Sequence, residues 1–163
     1  MMLFIKYPVS LNVVRKLKAS DQIVFTGRFV ILGEAAFQRI INYERAEGLI
    51  PDFIKNELIC LGRIEQSFVK PIPSKSCEQF LEKAFLYGAV SVIAFDTNLN
   101  ETTFRRFSRV LFVPESEIRP ISERILAYSD LDQDAVYEVE VERLVMRVAI
   151  DSKGNKTSLE VRK

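Results

Sequence analysis

Residues 89–95, AVSVIAF, contain one serine and otherwise only apolar side chains. A strand of this kind cannot leave a face in water, so it has to lie between two covering layers. Near the end of the chain, AVYEVEVERL alternates Tyr137, Val139 and Val141 with Glu138, Glu140 and Glu142, the period of a strand with one wet face. Doubly buried and one-sided strands in one chain call for layered sheets.

The segments between supply helices. Ser10 stands where it can cap a short helix over residues 11–17, and Ala19-Ser20-Asp21 reads as a turn. Residues 22–31 are β-branched and aromatic with Gly27 inside, which predicts a long strand with a bulge or bend. In the helix predicted over 34–47, Phe37, Ile40 and Ile41 fall on one face, and Gly48 stands at its C-terminal stop. Pro51 begins a loop, and residues 58–61 read as a short buried strand ending at Gly62. A second helix, residues 76–87, places Cys77, Phe80, Leu81, Ala84 and Phe85 on one stripe and closes at Gly88. Residues 103–109 read as helix and 110–113 as strand, while 118–128 fit either. LVMRVAI, DSKGN and TSLEV then predict a hairpin closed through Gly154. The fold class is α/β with mixed sheets, and no repeat or linker divides the 163 residues, so residues 1–163 read as a single domain.

Composition restricts the chemistry. The chain has no histidine, which removes imidazole-activated nucleophiles and histidine-based zinc sites. Its two cysteines, Cys60 and Cys77, are too few for a four-thiolate cluster and sit in apolar or helix-starting contexts that suit packing. With 23 basic and 22 acidic residues the net charge is +1, so no global field draws the chain to nucleic acid or an anionic membrane. No segment approaches the roughly 18 apolar residues of a membrane span, and MMLFIKYPVS lacks the length and cleavage pattern of a signal peptide. A cytoplasmic protein is the expectation.

Four stretches, KYPVSLNVVRKLKASDQIVFTGRFVILGEAAFQRI, GLIPDFIKNELICLGR, KPIPSKSCEQFLEKAFLYGAVSVIAF and AVYEVEVERLVMRVAIDSKGN, resemble in order and spacing the β component of iron–sulfur fumarate hydratases and L-tartrate dehydratases. The resemblance implies a swivelling β/β/α layered domain. It implies a partner as well, an α subunit carrying a [4Fe–4S] cluster, with no cofactor bound by this chain. An iron with an open coordination position would act there as a Lewis acid on a small hydroxy-dicarboxylic acid, and the β component would clamp the carboxylates. The activity implied is that of a hydro-lyase.

The sequence departs from the family pattern at its polar positions. Where the family has arginine, aspartate, two small residues and histidine, this chain has Gly33, Glu34, Ala35, Ala36 and Phe37. Gly62-Arg63 replaces Gly-Pro. Where the family has Gly-Pro-Thr-Thr-Ser, one variable residue and Arg-Met, the chain reads Lys70, Pro71, Ile72, Pro73, Ser74, Lys75, Ser76, Cys77. The expected lysine and glycine fall on Phe95 and Asp96. Each charge-assisted hydrogen bond to a buried carboxylate contributes roughly 1.5–3 kcal/mol, so losing two arginines and a lysine predicts much weaker dicarboxylate binding.

Six residues remain as candidate substrate contacts. Lys70, Ser74, Lys75 and Ser76 lie on the approach to a helix whose first amides favour an anion; the competing role is capping by Ser74 or Ser76 and solvated lysines. Arg63 is a candidate for the missing cation. Glu34 would be a general base if buried, or a complement to the helix dipole. Arg39 matches a family position but suits an ion pair equally, and the Glu138, Glu140, Glu142 strip reads as a wet strand face. No metal ligand set is assigned, and no catalytic residue. The alternative function is a catalytically silent interaction or small-acid-binding module on the same fold, and neither reading excludes a homo-oligomer.

Overall fold

In the computed structural model, which describes residues 2–157, two long strands carry the architecture. Strand β2 (Gln22–Leu32) and strand β8 (Val136–Ile150) run antiparallel along most of their length. Both bend at the same level. The register shifts between Phe25 and Gly27, and Gly27 lies opposite Val141. Arg143 has φ 55°, and its amide donates to Thr26 Oγ1 at 3.0 Å. Gly27 has φ 149°, and a Cβ there would stand 2.5 Å from Tyr7 Cβ. The bulge anticipated at this glycine is therefore a place where only glycine fits.

The bend gives each half of β2 a different neighbour. Its first half pairs in parallel with β1 (Met2–Lys6), and its second half with β3 (Leu58–Glu65). From β3 the sheet continues in parallel through β5 (Ser91–Ile93) to β6 (Leu111–Pro114), and β6 pairs antiparallel with β8. Because β8 also pairs with β2, the path β2–β3–β5–β6–β8 closes on itself. Two short strands complete the eight: β4 (Phe68–Pro71) forms a hairpin with β3, and β7 (Ser122–Ala127) pairs with the first part of β8. The architecture is mixed α/β around one eight-stranded sheet.

Closure creates an inside and an outside, and the parallel strands alternate between them. Phe29, Ile31, Leu58, Cys60, Ile93 and Phe112 point inward to meet Val139, Val141, Met146 and Val148 of β8. Their neighbours Val30, Leu32, Ile59, Leu61, Val92 and Leu111 point outward into a second core. That core is roofed by α2 (Glu34–Glu47), α3 (Ser74–Leu86) and α4 (Glu101–Phe107) through Phe37, Ile40, Phe80, Phe85 and Phe104. The apolar run at residues 89–95 is explained by this placement, since Val90 and Ile93 enter one core and Val92 and Ala94 the other. Its one hydroxyl, on Ser91, donates to Val110 O and accepts from Val110 N, so the strand leaves no orphaned polar group. The short helix α1 (Leu11–Lys16) packs Val14 onto the inner core, and Ser10 Oγ accepts from Val13 N as its cap.

Several boundaries differ from the sequence reading. Residues 89–95 form ladder pairs only over Ser91–Ile93. Strand β3 runs four residues past Leu61 because β4 pairs with it, a hairpin that turns through Gln66 and Ser67 at positive φ. Helix α3 starts at Ser74, with Pro73 at the cap position, so neither Ser74 nor Ser76 is the capping residue. The ambiguous residues 118–128 include β7, whose edge position explains its exposed, weakly patterned side chains. Of the predicted tail hairpin, the part through Thr157 is seen, with Ile150 bridged to Lys156 and Thr157 N donating to Ala149 O. Residues 158–161 of that hairpin lie outside the described residues.

Candidate functional site

Parallel strands present their carboxyl ends along one edge, and loops leaving that edge are where α/β proteins gather polar groups. Here β2 passes through Gly33 directly into Glu34, the first residue of α2. β3 leaves the parallel ladder at Gly62-Arg63 to join β4, and the residues after β5 reach Asp96. The turn from β4 through Ile72-Pro73 starts α3. A Cβ on Gly62 would be 2.6 Å from Lys70 O, so glycine lets the hairpin fold tightly over the edge. A Cβ on Gly33 would lie 3.2 Å from Gly62 O and 3.9 Å from Asp134 Oδ1, which fixes how closely the start of α2, the β3 bend and the segment before β8 converge.

The six candidates divide into local partnerships. Ser76 Oγ donates to Glu34 Oε2 at 2.5 Å, joining the first turns of α3 and α2. The Ser74 hydroxyl donates to Asp96, and with the Asn98 amide at 2.8 Å it holds the Asp96 carboxyl below its ordinary range. Arg63 and Lys70 are opposite one another in the β3–β4 hairpin. Arg63 Nη2 donates to Gln133 Oε1 at 2.8 Å, and its Nε lies 3.6 Å from Asp134 Oδ1, an ion-pair distance too long for a hydrogen bond. The Lys70 ammonium sits 5.4 Å over the Phe68 ring. Lys75 is exposed in the first turn of α3. Glu34 too is exposed, a geometry that serves the α2 dipole more readily than proton abstraction. Arg39 makes a bidentate pair with Asp130 at 2.9 and 2.8 Å, a partner far away in sequence.

Between Pro71, Pro73, Cys77, Phe95 and Asp96 lies an open cleft of about 420 Å³. Its one thiol is quiet. Burial, then the nearby carboxylates of Asp96, Glu78 and Glu34, push Cys77 up to about 11, and Cys77 Sγ points at Ile72 O. A thiol so protonated is a packing group at neutral pH. Cys60 lies in the inner core and Cys77 in the outer one. Among the described residues, no group of three or more His, Cys, Asp or Glu side chains is placed to hold a metal ion.

Electrostatically this edge is self-contained. The helix N-termini that would attract a ligand anion face the chain's own carboxylates, Glu34 at α2 and Asp96 beside α3. An incoming dianion would meet two like charges, and the nearest guanidinium is already committed to Gln133 and Asp134. Gln133 and Asp134 escaped the sequence reading because they lie about seventy positions from Arg63 and carry no local signal. Asp96 was more accessible to inspection: Asp-Thr-Asn after an apolar run is an Asx-turn pattern.

No helix among the described residues is long and apolar enough to cross a membrane. Compared with known proteins, the chain matches no family model, and no curated protein matches it.

Proposed function

We propose that this chain is a swivelling β/β/α lid of the kind that the β component supplies in iron–sulfur hydro-lyases, acting with a separate cluster-bearing α subunit on a small hydroxy acid. One observation supports this most: Glu34, Arg63, Ser74 and Ser76, which the resemblance assigns to the lid's substrate-facing loops, converge on the carboxyl edge beside a single cleft. They arrive from β2, β3 and α3, over forty positions of sequence, so the convergence belongs to the fold and not to chain proximity. The chain's role in such an enzyme would be to close over the partner's site, exclude water and orient the substrate through these hydroxyl and carboxylate groups.

A second reading has its own observation in favour. Each of Ser74, Ser76 and Arg63 is already bonded within the chain, which suits a catalytically silent module that keeps the lid's shape and serves as a binding partner. The two readings separate in one experiment. The tagged chain is purified anaerobically from its native cells, co-purifying proteins are assayed for iron and labile sulfide, and the complex is tested for dehydration of malate and tartrate. A cluster-bearing partner with turnover supports the lid. A cluster-bearing partner without turnover on any 2-hydroxy acid supports the silent module, and the absence of any iron–sulfur partner removes the lid reading.

A further inference from the structure

A second cleft lies at the opposite end of the parallel strands, where β6 begins and β8 ends. It measures about 530 Å³ and lies between the end of α1 and the turn DSKGN, residues 151–155. Its walls bring Arg15, Lys16, Lys18 and Lys153 together against one carboxylate, Asp151.

That carboxylate is fully occupied in building the turn. Asp151 Oδ1 accepts the amides of Lys153 and Asn155 at 3.0 and 2.9 Å, and Oδ2 accepts the Ala19 amide at 3.1 Å and Asn155 Nδ2 at 3.2 Å. Ser152 Oγ donates to Arg15 O, and Ser20 Oγ lies 2.6 Å from Thr157 Oγ1. The two cleft walls are thus stitched together by partly buried hydrogen bonds and hold their cations on a common frame.

Elsewhere the surface charges neutralise one another, as in Arg39–Asp130, Arg106–Glu82 and Arg147–Glu115. Arg15, Lys16, Lys18 and Lys153 make no ion pair among the described residues. The consequence is felt next door. Burial, and then the Arg15 charge, hold the Arg109 guanidinium below its ordinary value, with no acid among the causes. A fixed cationic concavity in a chain of net charge +1 is a local asymmetry.

We propose that this cleft binds a small phosphate-bearing anion. Three of its four cations are lysines, compact point charges suited to the dense charge of a phosphate, and the Arg15 fork can add a bidentate grip on the same group. The volume fits a small molecule with two or three phosphates. The site is independent of the hydro-lyase reading.

The test is calorimetric titration of the whole protein with tripolyphosphate at near-physiological salt, alongside citrate and a short DNA duplex, with amide NMR shifts recorded. Saturable one-to-one binding is expected, with shifts centred on residues 15–19 and 151–155. The Lys16→Glu/Lys153→Glu double variant changes two exposed side chains and keeps the frame, and it should weaken binding by on the order of a hundredfold. A Lys75→Ala variant at the carboxyl edge should bind as the parent does. Equal affinity in the parent and the double variant would overturn the site, as would non-saturable binding. Citrate or duplex DNA binding as tightly as tripolyphosphate would overturn the phosphate assignment.

Discussion

Helices α2 and α3 frame the carboxyl edge, joined by the Ser76–Glu34 and Lys83–Glu44 contacts and, on their buried faces, by an aromatic stack. Phe37 is fully buried, and its ring stacks on Phe80 at 4.6 Å with an interplanar angle of 7°, with Tyr87 at 6.2 Å beyond. Replacing Phe37 by alanine removes the ring and leaves a cavity that the closed sheet below cannot fill by collapsing. Phe→Ala changes at such sites cost about 3–5 kcal/mol, of which the aromatic pair itself accounts for roughly 0.5–1.5. For a chain of this size each kcal/mol moves Tm by about 2–4 °C, so the midpoint should fall by roughly 6–20 °C. Urea unfolding followed by circular dichroism gives the free energy directly, with an unchanged m value showing that the denatured state is not the cause. Phe37→Leu keeps most of the volume and should cost about 1–1.5 kcal/mol. A loss below about 1 kcal/mol for the alanine variant would refute the claim that this stack clamps α2 to α3.

Further outcomes follow from single contacts. Gly27→Ala must adopt φ near 149° and collide with Tyr7, so it should cost at least about 2 kcal/mol by the same urea assay. Gly48→Ala has the left-handed φ of 70° but open space around it, so only about 1 kcal/mol should be lost. The Tyr87 hydroxyl, and then Lys83, hold Glu44 below its ordinary value; that stability is present above the unfolded-state pKa and is lost as pH falls through the folded one. Tyr87→Phe should flatten the acid limb of the urea midpoint. Burial raises Glu57 despite the Tyr7 hydroxyl at 3.1 Å, so its contribution runs the other way: it is full below the unfolded-state pKa and is lost as pH rises through the folded value. Glu57→Gln should remove that decline, and an unchanged slope would contradict the assignment. With both thiols buried, Ellman's reagent should react with Cys60 and Cys77 only on denaturation, and rapid labelling of native protein would show the cores to be open.

Where periodicity was strong, sequence and structure agree closely. Helix α2 spans the predicted residues and stops at Gly48 in the left-handed conformation, and Val139 and Val141 of β8 turn inward as their alternation requires. What escaped detection was set by pairing at a distance. The β3–β4 hairpin has no glycine or asparagine turn to announce it, and β7 is a strand only because β8 offers it an edge. The run LVMRVAI opens the expected hairpin as far as Thr157, but it does so as the second half of one long strand, because Arg143 bends the chain without ending it. At the candidate site, Glu34, Ser74 and Ser76 were visible as polar residues at helix starts. Their mutual bonding was not, since the carboxylates that occupy them lie on other elements.

The account turns on whether the carboxyl edge, with Glu34, Ser74, Ser76 and Arg63 bonded among its own residues, still grips a diacid unaided. Titrating the isolated chain with L-malate and L-tartrate while recording amide NMR shifts reads this directly. No saturable shift at residues 34, 63 or 74–76 is predicted up to millimolar acid. Saturable shifts at those residues with a dissociation constant in the micromolar range would contradict it.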